Sequence, residues 1–205
     1  MDETIRRMKV ELVFATQNEN KVAEVQSVVP PNVEIVSLKS LGFEDELQED
    51  HDTLEENAKQ KAQFVFDKFG KPCFAEDAGL EVDLLDGEPG VKSARYAGPD
   101  KSAKDNVAML LEKLIGSKDR SALFRAVIAF HDGTAIHTFE GRCYGRIAAE
   151  ARGDNGFGYD PVFIPDGFET TFGEMEPAEK HRISHRTAAT KAFISHLNET
   201  WNASC

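Results

Sequence analysis

Apolar positions along the chain recur with two alternating periods. Val10, Leu12, Val13, Phe14 and Ala15 make a short apolar run that reads as a buried strand, broken by the turn and capping residues Thr16 to Asn20. A helix follows with Val22, Val25, Val28 and Val29 on one face. Pro30-Pro31 stops it, and Val33, Ile35, Val36 and Leu38 predict a second strand. Thr53 and Glu56 have the spacing of a capping box, and Ala58, Ala62, Val65, Phe66 and Phe69 then recur at helical intervals up to Gly70-Lys71-Pro72. Cys73-Phe74-Ala75 resumes as a strand that delivers Glu76 and Asp77 at its end. Val107, Leu110, Leu111 and Leu114 mark another helix, closed near Gly116. Alternation from Ala122 to Phe130, the turn His131-Asp132-Gly133 and the return Ala135 to Phe139 predict a hairpin, which makes the sheet mixed. A last helix starts near Ser184 with Ala189, Phe193 and Leu197 as its inner stripe. Strands and helices in alternation predict an α/β fold.

Length and composition narrow this to one domain over residues 1–205, with the charged residues 1–8 read as a disordered leader. The 205 residues are 40% hydrophobic, enough for a sizeable core. Cys73, Cys143 and Cys205 are widely spaced and odd in number, as expected of reduced thiols. The start of the chain lacks the apolar stretch of a secretory signal and no run approaches a membrane span, so a cytoplasmic protein without membrane contact is expected. The glycosylation patterns at Asn198 and Asn202 then carry no meaning. A net charge of -12 speaks against nucleic-acid binding, which depends on basic surfaces, so any phosphate site must be local and metal-assisted.

Against that acidic background, two segments gather unusual chemistry. Asn155 to Phe163 combines glycines with Phe157 and Tyr159, whose rings offer faces to a planar base, and Asp160, whose carboxylate can accept from a base edge. Glu179 to Arg186 concentrates Lys180, Arg182, His185 and Arg186, donors suited to purine carbonyl oxygens. An exposed, solvated helix start explains that cluster equally well. Near the N-terminus, Thr16, Gln17, Asn18 and Lys21 sit where a strand hands over to a helix, and amides there can hold phosphate. Glu76-Asp77 places two carboxylates side by side in apolar surroundings, costly without a cation, and magnesium is the natural one. Glu46, Glu49, Asp50 or Asp52 can complete such a site, and a solvated acidic turn at 76–77 and a solvated acidic surface at 44–52 explain these carboxylates equally well. Lys61 lies off the apolar face of its helix, where a lone lysine is ordinarily solvated.

Together these residues resemble the inosine triphosphate pyrophosphatases, which hydrolyse ITP, dITP and XTP to the monophosphate and pyrophosphate. The resemblance runs from Phe14-Ala15-Thr16-Gln17-Asn18 to Ile183-Ser184-His185-Arg186. It is densest in Ala75-Glu76-Asp77-Ala78-Gly79-Leu80, in Pro89 to Gly98, and in Gly156-Phe157-Gly158-Tyr159-Asp160-Pro161. It implies an elongated mixed β-sheet flanked by helices, two lobes with a central substrate cleft, and a homodimer. It also implies a phosphate-binding loop at Thr16, Gln17, Asn18, Glu19, Asn20 and Lys21, and substrate contacts from Lys61, Ala78, Phe157, Gly158, Tyr159, Asp160, Lys180, His185 and Arg186. Asp77 matches the proton acceptor and a metal ligand, and Glu49 the other acidic ligand, for Mg2+ with Mn2+ as a substitute.

This chain departs from the family's common pattern at Gln17 (often glycine), Ala78 (often serine), Ala151 (often proline) and His181 (often asparagine). The expected reaction is attack of water, deprotonated by Asp77, on the α-phosphorus of a deaminated purine triphosphate. The alternatives are a nucleotide-binding regulatory protein without hydrolysis, an enzyme for modified pyrimidine triphosphates, and a phosphatase of related architecture.

Overall fold

In a computed structural model describing residues 10–201, six strands form one sheet in the order β2-β1-β3-β4-β5-β6. The strands are β1 (Val10–Phe14), β2 (Val33–Ser37), β3 (Cys73–Val82), β4 (Ser121–His131), β5 (Ile136–Ile147) and β6 (Phe163–Pro165). The helices are α1 (Glu19–Gln26), α2 (Leu54–Phe69), α3 (Ala103–Lys113), α4 (Pro177–Ile183) and α5 (His185–Trp201). β1 pairs in parallel with β2 and β3, and every later pairing is antiparallel, so the sheet is mixed. The leader, Cys205 and the Asn202 pattern lie outside the described residues.

Strand alternation divides the core by sheet face. Leu12, Phe14, Phe74, Ala126, Ile128 and Phe130 pack with Val25 of α1 and with Ala189, Phe193 and Leu197 of α5. Val13, Ala15, Cys73, Ala75, Val127 and Ala129 face the other way, onto Ala58, Ala62 and Val65 of α2. A third cluster, around Leu80, Phe124, Phe163 and Phe172, buries α3 and forms the second lobe.

Three elements run differently from the sequence expectation. β3 does not end at Ala75. It continues through Glu76 and Asp77 to Val82, because β4 pairs with it along its whole length. β5 passes Phe139 and continues to Ile147, and Gly141 lies inside it. A Cβ at Gly141 would stand 2.1 Å from the carbonyl oxygen of His185, so only glycine lets the start of α5 seat against the sheet. α1 closes at Gln26, with Ser27 as its cap, so Val28 lies beyond the helix and Val29 is buried after it.

Candidate active site

The two adjacent carboxylates face opposite sides of the sheet. Asp77 shares its side with Cys73 and Ala75, towards α2, and Glu76 shares its side with Phe74, towards α5. Each meets a buried cation from the helix on its own side. Arg186 of α5 holds Glu76 bidentately, Nε donating to Oε2 at 2.7 Å and Nη2 to Oε1 at 2.9 Å. Lys61 of α2 donates to Asp77 Oδ1 at 3.0 Å, to the Glu76 carbonyl at 3.0 Å and to Glu49 Oε1 at 2.9 Å. The expectation that the pair would share one metal is therefore corrected: Glu76 is neutralised by Arg186. The ordinary reading of Lys61 as a solvated lysine is corrected too, since only 5% of it is exposed.

The environments push the two acids apart. Burial works to raise both, but at Glu76 the charges of Arg186 and Lys21 outweigh it and hold the carboxyl far below its usual range. At Asp77 burial prevails over Lys61, assisted by the Glu49 charge, and the carboxyl is raised. Asp77 Oδ2 is buried without a hydrogen-bond partner. Of the acidic candidates between 44 and 52, Glu49 is the one beside Asp77. Its Oε2 accepts from Arg95 at 3.2 Å, while Asp50 pairs with Gln60 and Glu46 with Lys101.

Beyond Phe74, whose carbonyl accepts from the Ala15 amide, β1 no longer flanks β3. A cavity of about 400 Å³ opens there between the lobes, a size typical of small-molecule sites. Asn18, Asn20, Lys21, Glu49, Asp77 and Ala78 line one part, and Phe157, Gly158, Tyr159, Asp160, Lys180, His185 and Arg186 another. Thr16, Gln17, Glu19 and Lys61 are not among the lining residues, Lys61 standing behind Asp77 and Glu49.

The start of α1 is internally capped: Asn18 Oδ1 accepts from the amides of Asn20 and Lys21, at 3.0 and 3.3 Å, and Thr16 Oγ1 accepts from the Asn18 amide. Those two helix amides are therefore not free for phosphate. Gln17 donates to the Asp45 carbonyl at 2.7 Å, fastening the acidic segment to the loop.

In the aromatic segment, Phe157 and Tyr159 separate. Tyr159 is buried in the second-lobe core, and its hydroxyl donates to the Ser93 carbonyl at 2.9 Å, so the expected stacking role does not suit it. Phe157 is half-buried, with Lys180 Nζ 4.9 Å and Arg186 Cζ 5.4 Å from its ring centre. Asp160 Oδ2 accepts from Lys180 at 2.7 Å and from the Phe157 amide at 2.7 Å, which spends that oxygen on holding the loop. Gly156, at φ 75°, is required because a Cβ there would lie 2.0 Å from this oxygen.

The cationic cluster is buried rather than a solvated helix start. Lys180, His185 and Arg186 are each less than 5% exposed, and Arg182 alone of the four points to solvent. His185 stacks on Phe124, centroids 4.7 Å apart and 10° between planes, and its Nδ1 is buried without a partner. Burial, helped by the Arg186 charge, holds its imidazole well below the usual value, so the ring is neutral.

Residues outside the predicted set complete the network. Glu24, one turn beyond Lys21, accepts from Lys180 at 2.9 Å and from Arg186, joining α1 to α4 and α5. The i, i+3 spacing to Lys21 is its one sequence signal. Arg95 belongs to a segment quoted for the resemblance but given no role there. Asn106 accepts from the Ala97 amide at 2.7 Å and pins the 93–97 turn. His181 Nδ1 lies 3.3 Å from the Ser27 hydroxyl, bridging α4 and α1. Cys73 and Cys143 are buried free thiols pushed up to about 12 by burial, which leaves them inert at neutral pH.

The chain is similar to known proteins along most of its length. A Porphyromonas gingivalis protein named dITP/XTP pyrophosphatase is 50% identical over 179 residues, covering 87% of this chain and 92% of that one. A Christiangramia forsetii protein of the same name is 46% identical over 190 residues, covering 93% and 100%. The solved structure of a HAM1 protein from Coxiella burnetii superposes with a TM-score of 0.85 at 36% identity, covering 93% of this chain and all of that one. The sequence profile of the Ham1 family matches residues 12–196, and the chain belongs to the Ham1 family.

Proposed function

We propose that this protein is a dITP/XTP pyrophosphatase that hydrolyses deaminated purine nucleoside triphosphates, ITP included, to the monophosphate and pyrophosphate. The observation that carries the reading is Asp77: a buried carboxylate with one oxygen fixed by Lys61 and the other unpartnered, on the wall of a cavity that also holds a cation-flanked ring, Phe157. The names of the relatives point to the same reaction.

In this reading Asp77 orients the attacking water and takes its proton. Burial has already raised its affinity for that proton, and in the nucleotide-free protein Lys61 holds its other oxygen. Lys21 and Lys61 set positive charge beside the phosphates, with Asn18 and Asn20 as further contacts, while Thr16, Gln17 and Glu19 shape the loop that presents them. Phe157 stacks on the base, and Gly158 leaves room beside it. His185, neutral, offers a ring nitrogen to the base edge, and Arg186 keeps one N–H free on each terminal nitrogen after its bonds to Glu76 and Glu24. Lys180 and Asp160 hold the ring's position.

Glu49 and Asp77 suit a magnesium ion, with manganese as a substitute. They are hard oxygen donors, and Asp77 Oδ2 is unspent. Among the described residues no third His, Cys, Asp or Glu joins them, which leaves positions for phosphate oxygens and water. Bound there, the ion lowers the pKa of its water and neutralises charge on phosphate oxygens. A homodimer, a single domain over the whole chain and a cytoplasmic location complete the proposal. No described helix is long and apolar enough to cross a membrane.

The test is pyrophosphate release from ITP with magnesium, against an EDTA control. Asp77→Asn is expected to lower kcat by about 10²- to 10⁴-fold with the fold retained. Undiminished release by that variant would remove Asp77 from the chemistry. Free phosphate in place of pyrophosphate would move cleavage to another bond.

A further inference from the structure

The cations on the two faces of β3 differ in kind. Glu76 is held by the planar fork of Arg186, a fixed two-bond clasp on a carboxylate with no exposed side-chain surface. Asp77 and Glu49 are held by the ammonium of Lys61, a compact point charge on a flexible stem whose three bonds all go to oxygens at this one spot. Arg95 takes the remaining Glu49 oxygen, at 3.2 Å, and reaches the Glu49 carbonyl at 3.4 Å. Of the four carboxylate oxygens of Glu49 and Asp77, three are thus committed to cations, and Asp77 Oδ2 is the one left over. The charges balance as well: two carboxylates face two cations, so a bare divalent ion meets no excess of negative charge.

We propose that Lys61 is the resident counter-ion of the metal site: its ammonium keeps free divalent metal out of the nucleotide-free protein, and metal enters together with the nucleotide's phosphates, which draw the ammonium off the carboxylates. This rests on the pyrophosphatase reading and adds an order of binding to it. The arrangement meets two needs that conflict. Two nearby carboxylates, one of them buried, cannot stand unneutralised in the empty protein, yet they must become available when substrate arrives. A lysine meets both, because its ammonium can exchange carboxylate for phosphate oxygens within the reach of its stem. An arginine clasp like that on Glu76 would hold both oxygens in a fixed plane.

The probe is Mn2+ alone, titrated into nucleotide-free protein and followed by the loss of the free-ion EPR signal. Wild type is expected to bind it weakly. Lys61→Met is expected to bind it at least about tenfold tighter, as removal of one unit charge from a partly screened site implies. Lys61→Arg should stay weak, and adding Glu49→Gln to Lys61→Met should abolish the gain. Thermal melts give a second readout: Mn2+ should raise the Tm of Lys61→Met and leave wild type unmoved.

Wild-type binding of Mn2+ as tight as that of Lys61→Met overturns the proposal. If Lys61→Met does not fold, Lys61→Gln, which removes the charge but leaves a polar side chain beside the carboxylates, takes its place with the same expected direction, and Mn2+ binding equal to wild type then counts against the proposal. Pyrophosphate release from ITP by wild type separates the two levels. A protein that cleaves ITP yet binds bare Mn2+ tightly keeps the function and loses the counter-ion role, and one that releases no pyrophosphate loses the function itself.

Discussion

Replacing Arg186 by alanine removes the bidentate partner of a carboxylate with no exposed side-chain surface. Glu24 also loses a bond but keeps Lys180 at 2.9 Å, so the cost concentrates on Glu76. Lys21 stands 3.6 Å from Glu76, beyond good hydrogen-bond range, and burial already works against its charge, so it is a poor substitute. Stripping one partner from such a buried pair costs about 3–5 kcal/mol. At about 2–4 °C per kcal/mol for a chain of this size, Tm should fall by about 6–20 °C.

The pH dependence identifies the cause. In wild type the Glu76 carboxyl is held below its unfolded value, so its contribution is present above that value and is lost as pH falls towards the folded one. In Arg186→Ala burial prevails and the folded carboxyl titrates above the unfolded value. Its stability is then fully present below the unfolded value and is lost as pH rises through the folded one. The Tm gap between the two proteins should therefore narrow as pH is lowered from neutral towards the carboxylate range. Melts across that range provide the assay. A drop of only a degree or two, or a gap that ignores pH, would refute the account of Glu76 as a buried carboxylate held by Arg186.

Phe157→Ala should raise KM for ITP, because loss of one base–aromatic stack is worth about 1–3 kcal/mol. An unchanged KM would place the base elsewhere. Tyr159→Phe removes the hydroxyl donor of the Ser93 carbonyl, which still accepts from Asn106 at 3.4 Å, and should cost about 0.5–1.5 kcal/mol in urea unfolding with little effect on KM. A large KM effect would instead put that hydroxyl in contact with substrate. Gly141→Ala drives a Cβ into the His185 carbonyl, backbone against backbone, and should lower both Tm and kcat/KM, since it displaces the turn that carries His185 and Arg186.

Much of the fold was legible because apolar periodicity reports burial directly. The strand at Leu12–Phe14, the α2 stripe of Ala58, Ala62 and Val65, and the Ala122–Phe130 alternation all pack as their spacing predicts. The two strand differences share one cause, distinct from the early close of α1: polar residues that interrupt an apolar run look like a strand end. Glu76-Asp77 and Glu140-Gly141-Arg142 look like ends, yet both lie inside long strands. There ladder pairing continues regardless of side chain, and buried cations or a close-packed helix account for the interruption.

The same limit governs the site. Sequence adjacency made Glu76 and Asp77 look like one paired site, whereas the period of two in a strand makes adjacent residues the pair certain to face apart. Their separation gives the site its division of labour. The Glu76 face is spent on structure: Arg186, fixed there, also reaches Glu24, which holds Lys180, which in turn holds Asp160 and the Phe157 loop. On the Asp77 face the contacts end with an unpartnered oxygen at the cavity wall. A chain of ion pairs thus runs from α1 through the residues proposed to hold the base on one face, while the carboxylate proposed to react stands on the other with a single lysine tying it to Glu49. Substitutions along the Glu76 chain should therefore show themselves first in stability and in KM, and those at Asp77 first in kcat.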